Sequence, residues 1–278
     1  MREYFLSHYQ IRQIYIAKKL GLNSIKISLD LNKTKQYITI NKDFILFPDG
    51  QRINLYNLSG LIKKNIIIMI RDNEIYEMFF KTPDSRIYKL ISNGELDYPN
   101  LETSGRKLFS KDIPIKDLVR NVTDYFIKRQ KILIIGAKLG YYPIALFESG
   151  KDVTVYEEDK YILEMMKYNP LSREFFEYKI KFKTDRLYSL RNIPEKSFDG
   201  ILYCPPPFSR TTRYYYSKPI YTEFCRILKP KGLLLIDVEP PMAVTTSRII
   251  RNTQLKLENI KFSSVELDRE NLFILARK

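Results

Sequence analysis

Residues 131–149, KILIIGAKLGYYPIALFES, constrain the fold of this chain more than any other stretch. Residues 132–135 form a short apolar run, the pattern of a strand buried on both faces. A tight turn follows, Gly136-Ala137-Lys138-Leu139-Gly140, and residues 141–149, from Tyr141 onward, read as a helix that stops at Gly150. Glycine lets the backbone approach a ligand closely, and the helix N-terminus offers N–H groups with no helical partner. A strand–turn–helix unit of this kind is therefore where nucleotide-like cofactors dock. The dinucleotide fingerprint GxGxxG is not met, since Lys138 stands where a glycine would be wanted. Taken alone, the turn fits a plain βα connection equally well.

The stretch sits inside a longer alternation. Pro114 opens an amphipathic helix in which Ile115, Leu118, Val119, Val122, Tyr125 and Phe126 follow the 3.6-residue period. Strands are then expected at 132–135, 153–156, 180–182, 200–203 and 233–237, with helices at 141–149, 160–168, near Leu187, at 219–228 and at 247–252. Such alternation predicts an α/β domain over 113–278, a Rossmann-like, doubly wound and mostly parallel sheet. Its tail departs from the rule. Residues 260–267 and 272–276 flank Asp268-Arg269-Glu270-Asn271, which predicts an antiparallel hairpin.

Residues 1–112 have a different rhythm. A short helix at 11–20 ends at Gly21, and Ile25, Ile27, Leu29 and Leu31 then alternate with polar residues. That strand period excludes a helix-turn-helix reading of IAKKLGLNS. Further strands are expected at 37–40, 44–47, 66–70, 75–80 and 86–91, with a turn at Pro48-Asp49-Gly50 and a small helix within 54–64. The result is a small, mostly antiparallel β domain. Residues 101–112, LETSGRKLFSKD, carry Arg106, Lys107 and Lys111 near a turn at Gly105 and read as a solvated linker, the alternative being an arm that reaches toward a substrate of the neighbouring domain.

The 278 residues carry Lys+Arg 47 against Asp+Glu 32, a net charge of +15, which favours a polyanionic partner. The charge is spread along the chain, so a lysine-rich solvated surface is an equal alternative. No apolar run reaches the ~18 residues of a membrane span, so no membrane partner is expected. With Cys204 and Cys225 the only cysteines and His8 the only histidine, a disulfide framework or a metal site is not expected. Together these features favour a cytoplasmic protein.

A parallel sheet closed by a C-terminal hairpin resembles the class I S-adenosylmethionine-dependent methyltransferases, and the motifs fall in matching order. Gly136, Ala137, Lys138, Gly140 and Tyr141 occupy the first loop. Glu157, followed by Glu158, ends the second strand in VTVYEEDKYILEMM, where the family's acid holds the ribose hydroxyls. Asp185, followed by Arg186, lies in KTDRLYSL where the family contacts adenine. Cys204-Pro205-Pro206-Pro207-Phe208 follows the fourth strand, and CRILKPKGLLLID leads through the fifth. The resemblance implies S-adenosylmethionine as cofactor. SLDLNKTKQYITI, the PDG turn, LETSGRKLF, NPLSR and PPPFS also resemble a group of uncharacterised predicted archaeal methyltransferases.

The departures from the family matter as much. Ile134 stands where an acid is usual near the end of the first strand. A cation at position 138 opposes the helix dipole unless an anion sits there. Lys138 therefore either faces an anionic group of the cofactor or points to water over a degenerate pocket. Amino-methylating relatives carry Asp, Asn or Ser before Pro-Pro-aromatic, an acceptor that orients the target amine. Cys204 occupies that position, and a thiol accepts weakly. It is read as lining the pocket rather than as a nucleophile, because nothing near it in sequence supplies a base. Phe208 offers a ring for a planar target. The following SRTTRYYYSK places Arg210, Arg213 and Lys218 beside Tyr214, Tyr215 and Tyr216, which suits phosphate and base contact or a solvated lid.

Three functions follow as expectations. The first is methyl transfer to a nitrogen of a nucleic acid, RNA favoured over DNA. The second is polyamine aminopropyl transfer, whose family is similar in ILIIGAKLG and TEFCRILKPKG but needs carboxylates for a polycation. The third is a catalytically degenerate fold kept as a binding module.

Overall fold

The computed structural model describes residues 2–185, 187–238 and 244–278. Its organising element is one seven-stranded sheet: β1 (Lys131–Ile135), β2 (Asp152–Tyr156), β3 (Lys181–Lys183), β4 (Phe198–Tyr203), β5 (Leu228–Asp237), β6 (Ser264–Asp268) and β7 (Phe273–Arg277). The spatial order is 3-2-1-4-5-7-6. The first five strands pair in parallel, and β7 runs antiparallel to both β5 and β6. The strand order reverses between β1 and β4, and in such sheets the crevice outside the carboxyl ends at that point receives ligands.

The helices are α1 (Ile115–Tyr125), α2 (Tyr141–Glu148), α3 (Lys160–Tyr168), α4 (Glu174–Glu177), α5 (Lys218–Ile227) and α6 (Val244–Glu258), with single 3-10 stretches at Leu187–Asn192 and Arg213–Tyr216. β1 is central because nothing polar interrupts Ile132, Leu133 and Ile134, all fully buried. Gly200 in β4 has no side chain because a Cβ there would lie 2.6 Å from the Phe126 ring. Opposite, Tyr221 and Phe224 of α5 pack with Tyr203, Leu234, Leu257 and Ile274 in one apolar core. Truncating a buried ring such as Phe224 in such a core costs about 3–5 kcal/mol.

The chain divides into two compact units, one of residues 1–109, 114–116 and 167–171, the other of 110–113, 117–166 and 172–278. The first is built on three antiparallel sheets and a helix, His8–Lys19. That helix starts earlier than periodicity indicates, because Ser7 and Gln10 form a capping box that satisfies its first N–H groups. The small helix within 54–64 is confined to Leu55–Ser59, capped by the Asn54 side chain. The strand expected at 75–80 is two strands in different sheets, Glu74–Glu77 and Phe79–Lys81. Between them Met78 donates its N–H to Ile67 and accepts from Leu90, both at 2.8 Å. Residues 101–112 are not a solvated linker. Asn100–Thr103 and Arg106–Lys107 form a hairpin around Gly105, and Leu101 and Phe109 are buried, as is Lys111.

Candidate active site at the carboxyl edge of the sheet

The turn after β1 is held in left-handed backbone, with φ of +88° at Gly136, +50° at Lys138 and +79° at Gly140. The two glycines serve different ends. A Cβ on Gly136 would lie 2.4 Å from the Cys204 carbonyl oxygen, so β1 and the segment after β4 approach at backbone distance. The Cys204 N–H donates to Ile135 O at 2.8 Å and closes that approach. A Cβ on Gly140 would clash only with the flexible Met166 methyl at 2.7 Å, with Phe175 and Ile144 at ordinary contact; here the conformation itself selects glycine, at the N-cap of α2. The Ser172 hydroxyl donates to Leu139 O at 2.6 Å and fixes the middle of the turn.

Glu157, at the end of β2, is buried. Its Oε2 accepts the Ala137 N–H and its Oε1 the Asp159 N–H, each at 2.8 Å. Burial pushes this carboxyl up to about 7, outweighing the two amide bonds that favour the ionised form. Glu158 does different work. Its Oε1 accepts the Leu187 N–H at 2.6 Å and its Oε2 the Tyr215 hydroxyl at 3.0 Å, so it ties the segment after β3 to the segment after β4.

Lys138 turns toward a carboxylate of the chain. Its ammonium pairs with Asp237 Oδ2, and Asp237 Oδ1 receives Lys111 at 2.7 Å. The three side chains are 13%, 5% and 3% exposed in the order Lys138, Asp237, Lys111. Lys111 also donates to Asn271 O at 2.7 Å and lies 3.5 Å from the centre of the Phe273 ring. Burial would raise the Asp237 carboxyl, but the two ammonium groups outweigh it and hold the carboxyl below its usual range. Burial lowers Lys111 against the pull of Asp237. Asp237 is the residue at this edge that sequence reasoning did not assign; its signal was a lone charge ending the apolar run LLLID.

Cys204 is buried between these groups. Burial, reinforced by Asp237, pushes its thiol well above the ordinary range, which opposes formation of a thiolate there. Pro205 and Pro206 are half-buried, and the Phe208 ring is exposed. The segment beyond is pinned to this loop: the Tyr216 hydroxyl donates to Pro206 O at 2.7 Å and Thr212 Oγ1 to Pro207 O at 2.6 Å. Phe208 meets the Tyr216 ring edge to face at 5.3 Å. Arg210, Arg213 and Tyr214 are exposed, and Tyr215 is half-buried against Glu158. Asp185 is exposed beyond β3, and Arg186 lies outside the described residues. Among the described residues no group of three metal-ligating side chains occurs, and no helix is long and apolar enough to cross a membrane.

The glycine turn, Glu157, Cys204 and Lys138 thus meet at the switch point, while Asp185, Arg210, Arg213 and Tyr214 stand at exposed positions around it. No protein-family model matches the chain. Over 281 aligned residues it is 29% identical to Uncharacterized protein MJ1233 of Methanocaldococcus jannaschii, with 95% of each chain covered. Spermidine synthase from Thermotoga maritima superposes with a TM-score of 0.56 at 15% identity, over 79% of this chain and 77% of that one. A spermidine synthase in complex with the transition-state analogue AdoDATO gives 0.55 at 16% identity, over 77% of each chain. This chain shares their fold. It is the Rossmann-like sheet with an antiparallel C-terminal hairpin that the resemblance to class I methyltransferases implied.

Proposed function

We propose that this protein is an S-adenosylmethionine-dependent methyltransferase acting on a nitrogen of a nucleic acid, RNA being the favoured substrate, in the cytoplasm. The observation that carries the reading is the junction of Glu157 with the glycine turn. A buried carboxylate at the end of β2 is locked by the Ala137 N–H to the loop after β1. Each of its oxygens accepts one amide bond and keeps a second lone pair, the pair of acceptors a ribose diol requires. Gly136, with no Cβ, lets the turn and the Cys204 segment approach at backbone distance beside this carboxylate. When bound, the cofactor supplies an activated methyl group, so the protein is asked mainly for positioning. Phe208 presents a ring for a planar acceptor, Cys204 excludes water behind it, and the net charge of +15 favours a polyanion.

Aminopropyl transfer is the second reading, favoured by the likeness to spermidine synthases. Against it, a polycationic acceptor needs free carboxylates, and Asp237 is already held by two lysines.

Calorimetric titration with S-adenosylmethionine tests the proposal. Saturable binding is expected, weakened at least tenfold in Glu157→Ala and less in Glu157→Gln, which keeps one acceptor. No binding to well-folded protein would overturn it and leave a degenerate fold used as a binding module.

A further inference from the structure

A cavity lies between the two 3-10 stretches and α5. It holds about 330 Å³ and is lined by Leu187, Arg191, Tyr214, Lys218, Thr222 and Glu223, among others. That volume is at the small end of ligand-binding cavities, ~300–1,000 Å³. Its wall is shared with the site already described. Leu187 donates its N–H to Glu158, and Tyr215, which meets Tyr214 edge to face at 6.2 Å, donates its hydroxyl to the same carboxylate.

The charges in the cavity do not cancel. The Glu223 carboxylate is taken by Arg226, whose Nη2 and Nε lie 2.9 and 3.0 Å from one oxygen. Among the described residues neither Arg191 nor Lys218 has an ion-pair partner, so two cations face a neutralised acid. Tyr214 contributes a ring that is 45% exposed. Two cations beside an accessible aromatic face complement a planar ring that carries a phosphate.

We infer that this cavity is a subsite for one nucleotide unit of a single-stranded nucleic acid, its phosphate on Arg191 and Lys218 and its base on Tyr214. The subsite holds the strand next to the methyl-transfer crevice, with Glu158 as the partition between them. The inference rests on the nucleic-acid part of the reading above and names the residues that carry it.

The test is fluorescence anisotropy with a short fluorescein-labelled single-stranded RNA, displaced by adenosine 5′-monophosphate, adenosine or inorganic phosphate. The monophosphate is expected to displace the RNA at lower concentration than either of its parts. Arg191→Ala and Lys218→Ala should each weaken RNA binding and lower the slope of log affinity against log salt, and together they should lower it by about 0.7, the share of the one phosphate they hold. Tyr214→Ala should weaken binding about tenfold, with Tyr214→Phe restoring it. Both cationic variants should bind S-adenosylmethionine like the unaltered protein. Unchanged RNA affinity and slope in all three alanine variants would overturn the inference, as would displacement of the monophosphate by S-adenosylhomocysteine, which would make the cavity the cofactor's. If S-adenosylmethionine fails to bind while RNA still depends on Arg191 and Lys218, the methyltransferase reading falls and the subsite stands.

Discussion

The floor of the crevice and its rim, both on the C-terminal unit, use charge in opposite ways. On the floor, Lys111, Asp237, Lys138 and Glu157 are largely buried and held by one another or by backbone amides. On the rim, Arg191, Arg210, Arg213 and Lys218 stand in solvent. A buried charge that loses its partner keeps its full desolvation cost, whereas an exposed one is rehydrated. Substitutions on the floor should therefore be read out as stability, and substitutions on the rim as affinity for an anionic ligand.

The sharpest way to break the contrast is Asp237→Asn, which leaves Lys111 and Lys138 without their anion. Urea unfolding should show a loss of about 3–5 kcal/mol, partly recovered when Lys111→Met is added. A loss under about 1 kcal/mol would mean the floor is solvated like the rim.

Glu157 comes next, through its pH dependence. Its folded carboxyl sits at about 7 against an ordinary 4.5, so the folded chain binds this proton more tightly than the unfolded chain. The associated stability is complete below pH 4.5 and is withdrawn as pH rises through 7, on the order of 3 kcal/mol in all. Glu157→Gln should flatten that part of the stability profile, and an unchanged slope would assign the titration elsewhere.

Gly136→Ala should cost at least about 2 kcal/mol, because a positive φ and a clash with the Cys204 carbonyl act together. Gly140→Ala, clashing only with the Met166 methyl, should cost about 1–2 kcal/mol. Equal losses would show that the approach of β1 to the Cys204 segment is not tight. The smallest effect is expected on the rim. Arg210→Ala with Arg213→Ala should leave stability within about 0.5 kcal/mol while lowering the salt slope of RNA binding by about 0.7 for each phosphate no longer neutralised. Destabilisation without a change in slope would remove this loop from the ligand surface.

Much of the C-terminal unit was legible from residue patterns. The apolar run before Gly136 gave β1, and helix α3 falls on 160–168 because Leu163 and Met166 bury one face. Glu157 at the end of β2 was legible as an acid through the resemblance, but its bond to the Ala137 N–H in the glycine turn was not. The missed features depend on neighbours that no local window contains. The Met78 break exists because residues 67 and 90 claim its N–H and C=O. Lys111 looked solvated since nothing in LFSKD reveals a carboxylate at position 237.

By itself the sequence determined the alternation of strands and helices in the C-terminal unit, the glycine turn after β1 and the acid at the end of β2, because apolar periodicity, glycine and strand-end position act over a few residues. Only the tertiary structure decided what the charges do. Whether Lys138 meets solvent, a ligand anion or Asp237 depends on which strand ends converge at the carboxyl edge, and that is set by the 3-2-1-4-5-7-6 order of the sheet. Burial then fixes the outcome, since an ammonium removed from water is stable only where the fold has brought an anion to it.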